Sequence, residues 1–448
     1  MLLPKSLSAS DIKRLFGIEI VEGPCDISQF GGVLPFIEYL EKMRLRQQLE
    51  KLFGNFKARS MMQLVVSLVV GCKDLEEAER LGKDPLLKRV IGRSVVATQL
   101  ARNFKSFTPT EVQMLHEFVM SLSVLELVGH TKRYEDLEID VDQTAIEMFG
   151  HQEGVTHGYL EQDKIELCYQ YLFFRLANLN TFLYGTIRDG SCHSQHDFCG
   201  YLHQLLPMFK DSGRTVRLRA DSGYFNEEAF SICTKNKIFF YVKAPMSPSR
   251  RAQAESPSLV WVKDQKNPDI EYADYVTVTK DDAIWREIFK RVVKVKVEGG
   301  LFEENLYRYD CLASNDMSRD LHEFFPYYNQ RANIENNFRE LKNDYNLGSI
   351  VCHEFHANDV ITQTTILTYI LVQHFKRLFL DPEDQRMQLS TLRSRIFSMI
   401  GRKRRGQRRE WVKVYSVFLT LKQIVRIYCR ILSVKSLLVS APQFLDGS

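Results

Sequence analysis

The sequence predicts an α/β protein: a mixed-sheet core with a β-rich insertion, preceded by a helical N-terminal domain and followed by a basic helical C-terminal segment. Three observations predict it. Apolar residues recur at helical spacing up to Gly129, alternating β-rich runs begin at Tyr134 and give way to interleaved strand and helix patterns, and cations bunch near residue 405. A chain of 448 residues is long enough for a catalytic core with sizeable additions. With 44% hydrophobic and 26% charged residues, a disordered chain and a coiled-coil rod are excluded. The 60 basic and 56 acidic side chains leave +4, a balance too small to identify a nucleic-acid binder, so the placement of charge matters more than its sum.

From Gly32 to Gly129 the segments LPFIEYLEKMRLRQQLEKLF and SMMQLVVSLVVG repeat at helical spacing, and the last helix opens on Thr108-Pro109-Thr110-Glu111, a capping box with proline at the first helical position. Met61 to Cys72 is apolar but contains Gln63 and Ser67 and falls short of the ~18 residues of a membrane span. The opening MLLPKSLSASDIKR carries Pro4 and Lys5 where a secretory apolar region would stand, so a cytoplasmic protein is expected. The nine cysteines are scattered and form no C-x-x-C pair, so they are expected to be reduced.

Beyond Tyr134, DLEIDVDQTAIEMFG, KIELCYQYLFFRLA and NTFLYGTI read as three strands. A helix near 194–209, a strand at 215–220, a helix at 226–236 and a strand at 237–243 follow. The order βββαβαβ is the one expected of an RNase H-like nuclease core. Residues 245–268 look like a loop, and strand composition returns at 272–279, 291–297 and 307–313. A helix at 326–345 and an apolar helix at 360–380 come next. The expected division is a helical domain at 1–130 for DNA binding or dimerisation, a core at 131–243 and 316–380, an insertion at 244–315, and a basic segment at 381–448.

The chemistry-bearing residues are acids. Asp140 and Asp142 share one face of the first strand, and Asp221 stands where a later strand ends, the usual place for ligand-binding groups in an α/β sheet. On the helix YYNQRANIENNFRELKNDY, a step of 100° per residue puts Tyr328, Arg331, Glu335, Arg339 and Lys342 on one stripe. Three carboxylates could hold two divalent cations roughly 3.5–4 Å apart, and the flanking cations could grip phosphate oxygens.

The spacing of Tyr328, Arg331, Glu335 and Lys342 resembles the Y-R-E-K signature of bacterial insertion-sequence DDE transposases. VDQTAIEMFGHQEG followed by Gly158-Tyr159, RADSGYF around Asp221, and GCKDLEEAERLGKDP at 71–85 are similar to DDE domain group 1, the branch numbered thirteen-eighty. The resemblance covers about residues 30 to 375. It implies Asp142, Asp221 and Glu335 as catalytic, metal-binding acids, with Asp140 a neighbour. It also implies two magnesium ions (with manganese as a substitute), and Tyr328, Arg331 and Lys342 on DNA phosphates, where the stripe adds Arg339. The implied activity is metal-dependent cleavage at transposon ends and strand transfer into target DNA by a homodimer on double-stranded DNA, in a nucleoid-associated bacterial cytoplasm with no membrane partner. Leu160-Glu161-Gln162-Asp163 departs from the basic, proline-containing stretch usual after Gly158-Tyr159 in relatives.

Bland readings compete. The helix stripe could be a salt-bridged surface. Cys192, His193, His196 and Cys199 carry zinc-ligating atoms without a zinc spacing, as do Cys352, His353 and His356, and both groups are read as structural. The run Arg402, Lys403, Arg404, Arg405, Arg408 and Arg409 could be a solvated loop, but six cations in eight positions are read as a DNA-phosphate patch. Phosphate-cradling loops and serine-hydrolase elbows are absent. The rival functions are a non-catalytic DNA-binding protein on a transposase scaffold and a nuclease without strand transfer.

Overall fold

Twelve consecutive residues of alternating pattern, DLEIDVDQTAIE, form the strand that organises the molecule. In the computed structural model, which describes residues 26–129, 136–161, 164–211, 214–278, 284–296, 305–406 and 410–434, the strands in chain order are β1 (Ile27–Ser28), β2 (Asp136–Glu147), β3 (Thr156–Glu161), β4 (Lys164–Leu176), β5 (Thr181–Asp189), β6 (Thr215–Ala220), β7 (Ile238–Ala244), β8 (Val262–Lys263), β9 (Ile270–Val278), β10 (Ile284–Lys296), β11 (Asn305–Ser314), β12 (Ile400–Arg405) and β13 (Glu410–Tyr415). β4 pairs antiparallel with both β2 and β5, while β6 lies parallel to β2 and β7 parallel to β6. This gives the spatial order β5-β4-β2-β6-β7, with β2 at the centre of a mixed sheet.

The strands of the insertion continue this sheet, because β11 pairs antiparallel with β7 and leads on to β10, β9 and β8. The stretch read as a loop at 245–268 contains a short helix, Pro248–Ala254, opened by proline at its first turn and capped by Ser247.

Side-chain alternation sorts the two faces of the sheet. Leu137, Ile139 and Val141 of β2, with Leu172 and Phe174 of β4, pack on the helices Phe198–Asp211 and Glu227–Lys235. The opposite face carries Tyr169, Tyr171 and Phe173 against the helices Ile334–Asn343 and Phe355–Phe379. Each fully buried side chain of this kind is worth roughly 1.5–3 kcal/mol.

The N-terminal helices are as the periodicity predicts. Thr108 and Glu111 complete the capping box, Glu111 N–H donating to Thr108 Oγ1 at 3.2 Å and Thr108 N–H to Glu111 Oε2 at 2.7 Å. The helix Leu45–Val70 ends at Gly71, whose φ of +103° suits glycine. The 355–379 helix packs against both this helix and Pro109–Gly129, so one hydrophobic core joins the N-terminal helices to the sheet.

The basic C-terminal segment differs from the helical expectation. Arg402, Lys403, Arg404 and Arg405 lie in β12, hairpinned to β13 and paired with β1, between the short helical stretch Leu389–Phe397 and the helix Leu421–Ser433. The reason is an alternation within the charged run: Val412 and Val414 turn toward the core while Trp411 and Tyr415 stay exposed. No helix of the described residues is long and apolar enough to cross a membrane. All described cysteines are free.

Candidate active site

The even-numbered residues of β2 form a row of carboxylates, Asp136, Glu138, Asp140 and Asp142, on the face beneath the 324–343 segment. Buried charge on this scale must be matched. Arg217 Nε meets Asp136 at 3.0 Å, and Arg219, directly across from Asp140, reaches it at 2.6 Å with Glu138 at 3.7 Å. Arg175 approaches Asp140 from β4 at 2.8 Å. Asp140 is fully buried between two guanidinium groups, which makes it a structural neighbour of the site.

Asp142 differs from its row. The parallel register pairs Asp140 with Arg219 and Val141 with Ala220, and there β6 ends, so its continuation sets Asp221 opposite Asp142. A carboxylate occupies the place where the earlier positions have an arginine. The cation comes instead from the covering segment: Arg331 Nη1 donates to Asp142 Oδ2 at 2.6 Å. Burial pushes the Asp142 carboxyl up to about 6, with Arg331 opposing the rise and Asp221 adding to it.

The turn after β6 is built for close approach. Asp221 Oδ1 accepts from Gly223 N–H at 2.8 Å, and a Cβ at Gly223 would stand 2.5 Å from Ser194 Oγ and 3.0 Å from Asp221 Oδ1. Tyr224, fully buried next to both acids, has a hydroxyl without a hydrogen-bond partner, and burial holds its phenol well above the ordinary range. Arg188 donates to the Gln143 side chain and joins the same electrostatic environment. Sequence reasoning missed Tyr224, Arg188 and Gln143, although Tyr224 and Gln143 stood in the segments around the two acids.

The remaining sequence-predicted residues are distributed unevenly. Glu335 is exposed, and among the described residues no group of three His, Cys, Asp or Glu side chains is placed to hold a metal ion. Asp142 and Asp221 face one another where the ladder ends, while Glu335 lies on the covering helix. Gln330–Asn333 is a 3₁₀ turn, which changes the phase of Arg331 relative to Glu335. Tyr328, expected on DNA, is 7% exposed, packed with Tyr241 and Phe324 and lying below the Arg331 guanidinium, 5.8 Å from ring to cation. Burial pushes its phenol up to about 12. Lys342 Nζ donates to Ala145 O at 2.8 Å and so ties the helix to β2. Arg339 is exposed.

In the basic hairpin, Arg402 meets Asp26 at 3.0 Å and Lys403 meets Glu410 at 2.8 Å, while Arg404 and Arg405 are exposed. Arg408 and Arg409 lie outside the described residues. The cysteine–histidine clusters do not converge: Cys199 faces Asn226 and His356 bonds to Lys105 O.

Asp142 and Asp221 offer hard oxygen donors, on a site where burial raises the Asp142 carboxyl against the opposing pull of Arg331. Magnesium is usually bound through one or two carboxylates plus substrate phosphates, so the pair fits such an ion.

The sequence profile of the family described as Transposase DDE domain group 1 matches residues 24–436. No curated protein sequence matches significantly. Among solved structures, the piggyBac transposase in a synaptic complex with hairpin DNA aligns over 82% of this chain and 80% of that chain, at 11% identity and a TM-score of 0.39.

Proposed function

The chain belongs to the Transposase DDE domain group 1 family, and from this premise we propose that it cleaves DNA at the ends of a mobile element and transfers the freed 3′ ends to target DNA, using an RNase H-like core. The observation that supports this reading most is the Asp142–Asp221 pair, set opposite one another where the parallel ladder ends. Members of this family generally use a divalent metal. Seated on Asp142 and Asp221, such an ion would activate a water or a 3′ hydroxyl and stabilise the leaving oxygen of a phosphodiester.

The protein's own groups prepare the place. Arg331 neutralises Asp142 in the DNA-free state and is positioned to turn its remaining N–H donors toward a phosphate. Its Nε is buried without a partner. Asp140, clamped by Arg175 and Arg219, holds β2 in register, so Asp142 is presented from a rigid strand. Lys342, bonded to the Ala145 carbonyl, fixes over the strand the helix that carries Glu335 and follows the turn bearing Arg331. We assign Glu335 as the third acid. The exposed Arg339, Arg404 and Arg405, together with Arg408 and Arg409, are assigned to the DNA backbone. Two element ends handled together call for a homodimer.

The test is strand cleavage on duplexes bearing the element's terminal repeats, with magnesium present. The wild type should nick and join; Asp142→Asn, Asp221→Asn and Glu335→Gln should bind without nicking. Binding without nicking by the wild type would favour a non-catalytic DNA-binding protein, and nicking without joined products a nuclease. Full activity of Glu335→Gln would remove that residue from the assignment.

A further inference from the structure

A polar recess of about 320 Å³ lies at the turn after β4, lined by Arg175, Glu340, Lys376, Arg386, Asn336 and Asn337 among others. Its place follows from the ladder. Arg175 lies directly across from Asp140, two residues along β2 from Asp142, a separation of about 7 Å at the usual strand rise. Asn336 follows Glu335 on the covering helix.

Three cationic side chains of this recess stand against one carboxylate, Glu340. Arg175 is 6% exposed; it spends Nη1 on Asp140 and Nη2 on Asn180, and its Nε is buried with no partner. Lys376 is 2% exposed, and its ammonium group, with three donors, gives one hydrogen bond, to Met387 O at 2.6 Å. Burial pulls the Lys376 amine down to about 8 although Glu340 opposes the fall. Glu340 is itself engaged with Leu389 N–H at 2.9 Å. Arg386 and Asn336 are exposed at the rim. Asn337, 3% exposed, leaves its side-chain oxygen unpaired, a place for a water or a hydroxyl.

The chemistry of the lining selects the ligand. A cation would face Arg175, Lys376 and Arg386, and an apolar group would leave the buried donors of Arg175 and Lys376 unsatisfied, at a cost that buried polar groups rarely carry. A tetrahedral oxyanion supplies several acceptors to planar and ammonium donors at once. We propose that this recess binds a phosphate group, and that its source is the DNA backbone phosphate next to the one being cut. The choice of source rests on the transposition reading; free orthophosphate offers the same chemistry.

Two measurements on the full chain separate the sources. In the first, element-end duplexes carry a single neutral methylphosphonate at each position flanking the cleaved bond. One position should weaken binding by the wild type about 5- to 10-fold, and Arg386→Ala should show the same loss on unmodified DNA, with the slope of log affinity against log salt reduced by about one and no further loss at that position. In the second, millimolar orthophosphate should raise the Tm of the wild type and not that of Arg386→Ala or Lys376→Met; the rim variant keeps the test alive if the buried one does not fold. Orthophosphate protection with every neutral linkage affecting wild type and Arg386→Ala alike would overturn the DNA source. Absence of both effects would overturn the recess as a phosphate site. If the wild type binds no element end, the transposition reading fails, and the orthophosphate measurement still decides the recess.

Discussion

Replacing Asp142 with asparagine perturbs the acid pair at its most sensitive point, because this carboxyl is raised to about 6 from an ordinary 3.8. Burial drives the rise, Arg331 at 2.6 Å opposes it and Asp221 reinforces it. A folded pKa above the unfolded one means that the native state holds the proton more tightly. The stabilising contribution is then complete below about pH 4 and is lost as the pH climbs through about 6. Two units at about 1.4 kcal/mol each give about 3 kcal/mol, good to its order of magnitude, for a side chain that is 15% exposed. The substitution also removes the anionic partner of Arg331, a contribution already contained in the raised value because Arg331 opposes the rise. The informative quantity is thus the stability of wild type minus that of Asp142→Asn, followed by urea denaturation from about pH 4 to about pH 8. This difference should fall by about 3 kcal/mol across the range, and millimolar magnesium, by favouring the ionised carboxylate, should shrink the fall. A flat difference, or one that grows with pH, would refute the electrostatic account of the site.

Asp140→Ala should destabilise by about 3–5 kcal/mol in chemical denaturation, since it strands the buried Arg175 and Arg219 charges. Gly223→Ala should cost about 1–3 kcal/mol because its Cβ would meet Ser194 Oγ at 2.5 Å, and it should depress cleavage by displacing Asp221 while DNA binding, read by gel shift, persists. Thr108→Ala should lower stability by about 1 kcal/mol through loss of the helix cap and leave strand cleavage unchanged.

What the sequence made legible was whatever is encoded locally. Strand β6 appears at the residues its β-rich composition predicts, and the Thr108–Glu111 box opens its helix where the side chains demand. The sequence places Asp221 just past a strand, and β6 does end at Ala220, whereas Asp142 lies mid-strand in β2, one residue beyond the end of its parallel ladder. Pairing partners are a different matter. Nothing in the composition of residues 305–314 announces β7 as their neighbour, so the insertion's continuity with the central sheet emerges only in three dimensions. The arginine row is similar: Arg175, Arg217 and Arg219 acquire meaning only when the register sets them against the acids of β2. The C-terminal hairpin did carry a signal, the Trp411 to Tyr415 alternation, which the dense charge around it obscured.

The helix stripe shows how correct arithmetic can rest on a wrong assumption. Taking 100° for every residue puts Arg331 and Glu335 about 40° apart, on one face. In the folded chain the first part of that segment, Gln330–Asn333, is a 3₁₀ turn, which advances about 120° per residue. Three such steps add about 60°, so the two side chains stand about 100° apart, one beneath the helix on Asp142 and the other in solvent. The turn has an evident cause in packing: Tyr327 and Tyr328 immediately before it are buried in an aromatic cluster with Tyr241 and Phe324, while Ile334 and Phe338 after it are buried in the main core. Two anchors at different phases are reconciled by a locally tighter winding. The same four residues therefore set both the contact that neutralises Asp142 and the distance of Glu335 from it, and rewinding them to 100° per residue would move these two features together.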